Sequence, residues 1–198
     1  MGSGHKIVLA STSSRRATLM EGMGLAFEVA DPGNLREIRE GEPTSLVRGN
    51  AVMKVRAVAS GREEGIVVGA DTVIVLDGIV LGKAGSRAEA KSMLRALRGR
   101  EHRVLTGLAI LDAGTGREAS EVVETKVRMR PLSDGEVEAY VSTGEPLGKA
   151  GGYAIQGLGG SLVEGFEGSF NNVVGLPLSR LRKMLGDFGV DVPSDIGI

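Results

Sequence analysis

Apolar and polar positions along this chain switch repeatedly between a period of two and a period near 3.6, the signatures of strand and helix. Residues 6–10 are a short apolar run that reads as a first strand. Behind it, Ser13 or Ser14 can cap a helix running to about residue 22, where the glycines of EGMGL stop it. Residues 27–30 read as a second strand. The segment DPGNLREIREGEP is polar and broken by Pro and Gly, so it reads as a loop. Pro43-Thr44-Ser45 then opens a long helix to about residue 60, with Leu46, Asn50, Met53 and Ala57 on one side.

The second half continues in the same way. Residues 66–68 form an apolar strand that ends near Asp71, and 73–76 and 79–81 pair as a hairpin through an Asp77-Gly78 turn. Ser86 and Glu89 have the spacing of a capping box, ahead of Ala90, Met93, Leu94 and Leu97 on one helical face. Strands at 102–111 and 122–129 flank the turn DAGTG, and Ser133 with Glu136 makes a second capping box before Val137, Tyr140 and Val141. The Gly-rich stretch from GEPLGKAGGYAIQG to VVGLP reads as loop and short strand, followed by a last helix at 178–185. Helices alternating with strands and long hairpins predict an α/β fold, a mixed twisted sheet flanked by helices. Residues 6–189 read as a single domain, with 1–5 a disordered linker or cloning scar and 190–198 a loosely held tail. Two lobes would place the Gly-rich stretches near Gly69 and Gly151 along a central cleft.

Composition narrows the chemistry. Hydrophobic residues make up 41% of the 198, enough for a real core. There is no cysteine, which excludes disulfides and thiolate metal sites and suits a reducing cytoplasm. A net charge of −1 gives no general excess for polyanions, so anion binding must come from local clusters and nucleic acid is not an expected partner. No apolar run reaches membrane-span length and the N-terminus carries no signal-peptide core, so no membrane partner is expected.

Four segments carry candidate chemistry. In LASTSSRR a strand ends in the hydroxyls Ser11, Thr12, Ser13 and Ser14, directly before Arg15 and Arg16. Free N–H groups at a helix start, small hydroxyl donors and two guanidinium groups together suit a phosphate; a capped surface helix with two solvated arginines is the plainer alternative. Asp71, after the small residues Gly69 and Ala70 and before Thr72, is either a turn former or a carboxylate that holds a divalent metal or activates water. Lys54 and Lys83 are either snorkelling cations or, beside such a carboxylate, charge for a triphosphate. Gln156 reads by itself as a loop amide bonded to backbone, with a nucleobase edge as the alternative. Asn171 and Asn172 read as turn residues, and His102 as a group packed at a strand start.

Taken together, LASTSSRR, NAVMKVRAV, VGADTVIVLDGIVLGK, HRVLTG, ETKVRMRPLS, YVSTGEPLGKAGGYAIQG and GSFNNVVGLPL resemble the Maf family of nucleoside triphosphate pyrophosphatases, in the family's order across residues 6–185. The resemblance implies a cytoplasmic enzyme that cuts a nucleoside triphosphate to monophosphate and pyrophosphate with a divalent cation, Mg²⁺ or Mn²⁺. It also implies a two-lobed fold similar to inosine triphosphate pyrophosphatases, and often a homodimer. Asp71 matches the family's proton acceptor, and Arg15, Thr72 and Gln156 match positions that set specificity, in the pattern of the branch acting on dTTP and UTP. Ser11, Ser13, Arg15, Arg16, Lys54 and Lys83 match phosphate-side positions. Asp71 and Glu37 are the expected metal carboxylates, with Glu40 next to be considered. Ser14 stands where the family's loop has proline. Two other functions stay open at this point: a house-cleaning enzyme for inosine or xanthosine triphosphate, and a nucleotide-binding regulator of septum formation with little catalysis.

Overall fold

A computed structural model describes residues 5–193. The expected linker therefore lies outside the described residues except for His5, as do residues 194–198 of the expected tail. Val190 is buried and Val192 packs against the same core.

The elements in chain order are β1 (Ile7–Ala10), α1 (Ser14–Glu21), β2 (Phe27–Ala30), α2 (Pro43–Ala59), β3 (Ile66–Leu76), β4 (Ile79–Leu81), α3 (Arg87–Leu97), β5 (Glu101–Asp112), β6 (Glu118–Met129), α4 (Asp134–Ser142), a 3-10 turn (Leu158–Leu162), β7 (Val163–Glu167), α5 (Phe170–Val174) and α6 (Leu178–Asp187). The strands form one seven-stranded sheet in the order β2-β1-β3-β5-β6-β7, with β4 on β3. β1 pairs parallel with both β2 and β3, while β4 pairs antiparallel with β3 and β7 with β6, so the sheet is mixed as expected. The chain divides into two compact units. Of the described residues, the first takes in those up to Asp71, Thr106–Val123 and those from Gly175 to 193; the second takes in Thr72–Leu105 and Glu124–Val174.

In the first unit both sheet faces are covered, which is why its strands read as unbroken apolar runs. The pleat sends Ile7, Leu9, Ile66, Val68 and Ala70 to one face, where they meet Met20 of α1 and Leu178, Leu181, Met184 and Leu185 of α6. It sends Val8, Ala10 and Val67 to the other, against Ala51, Val55, Val58 and Ala59 of α2. Two glycines let α2 lie close to the sheet. A Cβ on Gly107 of β5 would sit 2.2 Å from the Val47 carbonyl oxygen, and one on Gly69 of β3 would sit 2.7 Å from a Val55 methyl and 3.0 Å from the Ala51 carbonyl oxygen.

The second unit has its own core. Ile74 and Leu76 of β3, Leu94 and Leu97 of α3, Val127 and Met129 of β6, Val137 and Tyr140 of α4, and Tyr153 pack together. The β3–β4 hairpin turns at Asp77 (φ 50°) and Gly78 (φ 81°), the left-handed pair that the Asp-Gly dipeptide predicts. Both bonds of the Ser133–Glu136 capping box form. At Ser86 the hydroxyl accepts from Glu89 N–H, but Glu89 turns to the Gly85 N–H instead of closing the box.

Three expectations need correction. β3 does not stop before Asp71 but runs through it, so the predicted strand and the first half of the hairpin are one element. Gly69 and Ala70 are part of that continuous strand, and the missing side chain of Gly69 clears α2. On α2 the buried face is Leu46, Val47, Asn50, Ala51, Val55, Val58 and Ala59; Met53 and Ala57 lie half-buried beside it. Asn171 and Asn172 sit on α5 and not in a turn.

Candidate active site

The pleat of β3 places Asp71 on the same face as Val67 and Gly69, toward α2. On α2, Asn50 and Lys54 are four residues apart and thus stacked on one side of the helix. The outcome is a compact polar cluster at the edge of an apolar interface. Lys54 Nζ is 2.6 Å from Asp71 Oδ1 and 2.9 Å from Glu37 Oε1. Asn50 Nδ2 donates to Asp71 Oδ2 at 3.0 Å. Both carboxylate oxygens of Asp71 are therefore anchored, and its side chain is only 13% exposed.

Glu37 reaches this cluster because the loop carrying it is pinned to α2. Asn50 is 2% exposed and reads the Ile38 backbone completely: its carbonyl accepts from Ile38 N–H at 2.7 Å and its amide donates to Ile38 C=O at 3.0 Å. The next residue back, Gly49, leaves room for the loop, since a Cβ there would lie 2.7 Å from Ile38 Cδ1. Between the two carboxylates weighed from sequence, Glu37 is the one paired with Lys54, whereas Glu40 is exposed.

The hydroxyl loop closes on itself before α1. Ser11 is buried, and its Oγ accepts from Ser13 N–H at 3.2 Å. Ser13 holds the N-cap position, yet its side chain makes no cap bond, so the expected cap is positional only. Arg16 donates from Nε to the Gly175 carbonyl at 2.8 Å. Burial lowers the Arg16 pKa from its ordinary value, Asp71 opposes that shift, Arg15 adds to it, and Glu37 opposes it. These influences set Arg15, Arg16, Asp71 and Glu37 within one electrostatic neighbourhood, a relationship the sequence order does not disclose.

Thr72, Lys83 and Gln156 belong to the second unit. Thr72 follows Asp71 on β3 and is half-buried. Lys83 is exposed and bridges antiparallel to Ala150, in a segment where Ala84 N–H also donates to the Lys149 carbonyl at 3.1 Å. Gln156 is exposed on the loop ahead of the 3-10 turn. His102 is buried within β5, Nε2 2.8 Å from the Tyr153 hydroxyl. Burial pushes its pKa down to about 4, so it is a neutral packed group and not a catalytic partner.

Two anchoring residues escaped the reading of the sequence as chemistry. In the sequence Asn50 has a place on the helix and no evident role, although an amide on an otherwise apolar face is a signal, because a buried amide must find partners. Glu145, beyond α4, gave no such signal.

A divalent cation can be tested against the donors present. Asp71 and Glu37 offer hard carboxylate oxygens, and among the described residues no group of three or more His, Cys, Asp or Glu could hold a metal ion by itself. That donor set fits Mg²⁺ or Mn²⁺ in its usual shared form, one or two carboxylates with substrate phosphates completing the shell.

The mixed α/β sheet with its flanking helices places the chain in the class of Ham1-like folds. The Ham1 protein of Staphylococcus aureus superposes with a TM-score of 0.52 over 92% of this chain and 99% of its own, at 15% identity. A HAM1 protein from Coxiella burnetii gives 0.52 over the same shares at 16% identity. The chain belongs to the Maf-like protein family, whose model matches residues 6–188. Among its relatives, a dTTP/UTP pyrophosphatase of Moorella thermoacetica is 48% identical over 189 residues, covering 94% of this chain and 97% of that one. A dTTP/UTP pyrophosphatase of Dictyoglomus thermophilum is 46% identical over 187 residues, covering 93% and 96%.

Proposed function

We propose that this chain is a nucleoside triphosphate pyrophosphatase that hydrolyses dTTP and UTP to the monophosphate and pyrophosphate. The observation that carries this reading is the double anchoring of Asp71 by Lys54 and Asn50. Such a carboxylate is oriented in advance and keeps lone pairs with which to take a proton. Near full-length relatives at 46% and 48% identity, both named dTTP/UTP pyrophosphatases, support the substrate class.

In this mechanism Asp71 takes a proton from a water whose oxygen attacks the α-phosphorus. The bond from that phosphorus to the oxygen shared with the β-phosphate breaks, and pyrophosphate departs with the electron pair. Arg15, Arg16, Lys54 and Lys83 balance the charge that accumulates on the leaving oxygens. Ser11 and Ser13 lend small donors at the start of α1, where the hydroxyl of Ser13 is not committed to capping. Asp71 and Glu37 would hold the divalent cation, which when bound supplies further neutralisation of the phosphate oxygens. Thr72 and Gln156 are assigned to substrate choice from their motif positions, Gln156 by offering both a donor and an acceptor to the O4–N3 edge of uracil or thymine.

Two narrower proposals accompany this reading. The enzyme acts in the cytoplasm, where its substrates are made; no helix of the described residues is long and apolar enough to cross a membrane. It works as a homodimer, as the family pattern implies. The purine-directed alternative has only the shared fold behind it, and an Asp71 held by Lys54 and Asn50 argues against a regulator that merely binds.

The test is a panel of nucleoside triphosphates with pyrophosphate and orthophosphate measured separately. Pyrophosphate release with dTTP and UTP foremost is expected. Orthophosphate release, or preference for inosine triphosphate, would overturn the reading.

A further inference from the structure

Gln156 is exposed, yet the backbone around it is held on both sides. Glu145, just past the end of α4, accepts from two successive N–H groups at the start of the 3-10 turn, Leu158 to Oε1 at 3.0 Å and Gly159 to Oε2 at 2.9 Å. On the other side of Gln156, the N–H of Ala154 donates to the Tyr140 hydroxyl at 3.1 Å. Burial raises the Tyr140 pKa and the Glu145 carboxylate adds to that shift, so the two groups share one electrostatic neighbourhood. The loop's shape matches these partners. A Cβ on Gly157 would fall 1.7 Å from Glu145 Oε1, and one on Gly159 would fall 2.5 Å from the Tyr140 oxygen.

The clamp is itself tied to α4. Thr143 Oγ1 donates to the Tyr140 carbonyl at 2.7 Å and accepts from Glu145 N–H at 3.2 Å. Tyr140 is buried in the core of the second unit, so the whole assembly hangs from packed structure. The loop backbone is thus fixed at positions 154, 158 and 159, while the side chain at 156 is exposed and can meet a ligand.

We infer that Glu145, backed by Tyr140, is a positioning residue for substrate choice: it holds the loop that presents Gln156 to the nucleobase. This rests on the assignment of Gln156 to the base made above. The physical logic is that an amide can discriminate a base edge only if its rotamers start from a fixed backbone. Glu145→Gln replaces one acceptor oxygen with an NH₂ that faces an N–H donor, so half of the clamp is lost while size is kept. Tyr140→Phe removes the acceptor of the Ala154 N–H.

The experiment measures kcat and KM for dTTP, UTP, CTP and GTP in the wild type, Glu145→Gln, Tyr140→Phe and Gln156→Ala, together with inhibition by inorganic tripolyphosphate, which carries no base. Losing one neutral-scale hydrogen bond corresponds to about a three- to tenfold effect. In Glu145→Gln and Tyr140→Phe, KM for dTTP and UTP should rise by that factor, more than kcat changes, and their advantage over CTP and GTP should shrink. Inhibition by tripolyphosphate should stay as in the wild type. A Glu145→Gln enzyme that weakens all nucleotides and tripolyphosphate alike would show a general structural role and overturn the inference. Lost selectivity in Gln156→Ala with none lost in Glu145→Gln and Tyr140→Phe would overturn the clamp alone. Unchanged selectivity in Gln156→Ala would overturn the reading of Gln156, and the clamp's function with it.

Discussion

Asn50 and Asp71 lie on different elements and meet through one hydrogen bond, Asn50 Nδ2 to Asp71 Oδ2 at 3.0 Å. The same amide holds the N–H and C=O of Ile38, next to Glu37. One buried side chain thus ties the proposed base to the backbone that carries the second carboxylate. Asn50→Leu fills the space but removes the bonds to Ile38 N–H, Ile38 C=O and Asp71, each worth about 0.5–1.5 kcal/mol. We expect a lower unfolding midpoint and a fall in turnover larger than the fall in folded protein. Thermal unfolding alongside a pyrophosphate-release assay checks this; normal turnover in the folded fraction would remove Asn50 from the mechanism.

Asp71→Asn keeps the shape of the side chain and removes its basicity. Lys54 retains Glu37 as a partner at 2.9 Å, so the fold should survive. Loss of a general base costs about 10²- to 10⁴-fold in rate. Cooperative unfolding with turnover reduced on that scale is the expected result, and near wild-type turnover would show that another group accepts the proton.

Gly107→Ala tests how the site is positioned. The added Cβ meets the backbone of Val47, its oxygen at 2.2 Å and carbonyl carbon at 2.4 Å, and backbone cannot rotate away. α2 must shift, and it carries Asn50 and Lys54. Overpacking of this kind costs about 1–3 kcal/mol, and activity should fall further, since a misplacement of about 1 Å can cost about 10²-fold. Gly186→Ala on α6, where a Cβ meets nothing within 4 Å, is the control and should be neutral or slightly stabilising.

His102 makes stability depend on pH. Its folded pKa is pushed down by burial from 6.5 to about 4. Between these values the unfolded chain takes up a proton that the folded protein refuses. The His102 contribution is therefore complete above pH 6.5 and is lost as pH falls toward about 4, by roughly 1.4 kcal/mol per unit at most. Urea unfolding from pH 7 down to about 4 should show this slope in the wild type and a shallower one in His102→Gln. Equal slopes would place the titration elsewhere.

Much of the local structure was legible in the residues alone. The strand at Ile7–Ala10, the strand at Phe27–Ala30, the Asp77-Gly78 hairpin and the Ser133–Glu136 box all appear where short-range patterns put them. The family was legible too, because its motifs lie along the chain in order. The hydroxyls, the arginines and Asp71 stood out as residue types suited to phosphate chemistry. What the residues did not disclose was that Gly69 continues a strand, that Asn50 faces inward to Asp71, or that Glu145 grips the backbone beside Gln156. Turns, caps and hydrophobic periods are set by neighbours a few positions away, so a linear reading captures them. A buried polar group is satisfied by whichever donor or acceptor packing brings to it, as Thr125 and Val104 come to Asn172 from distant strands. Only the folded chain decides those partners, because burial makes each bond obligatory while sequence distance places no limit on who supplies it.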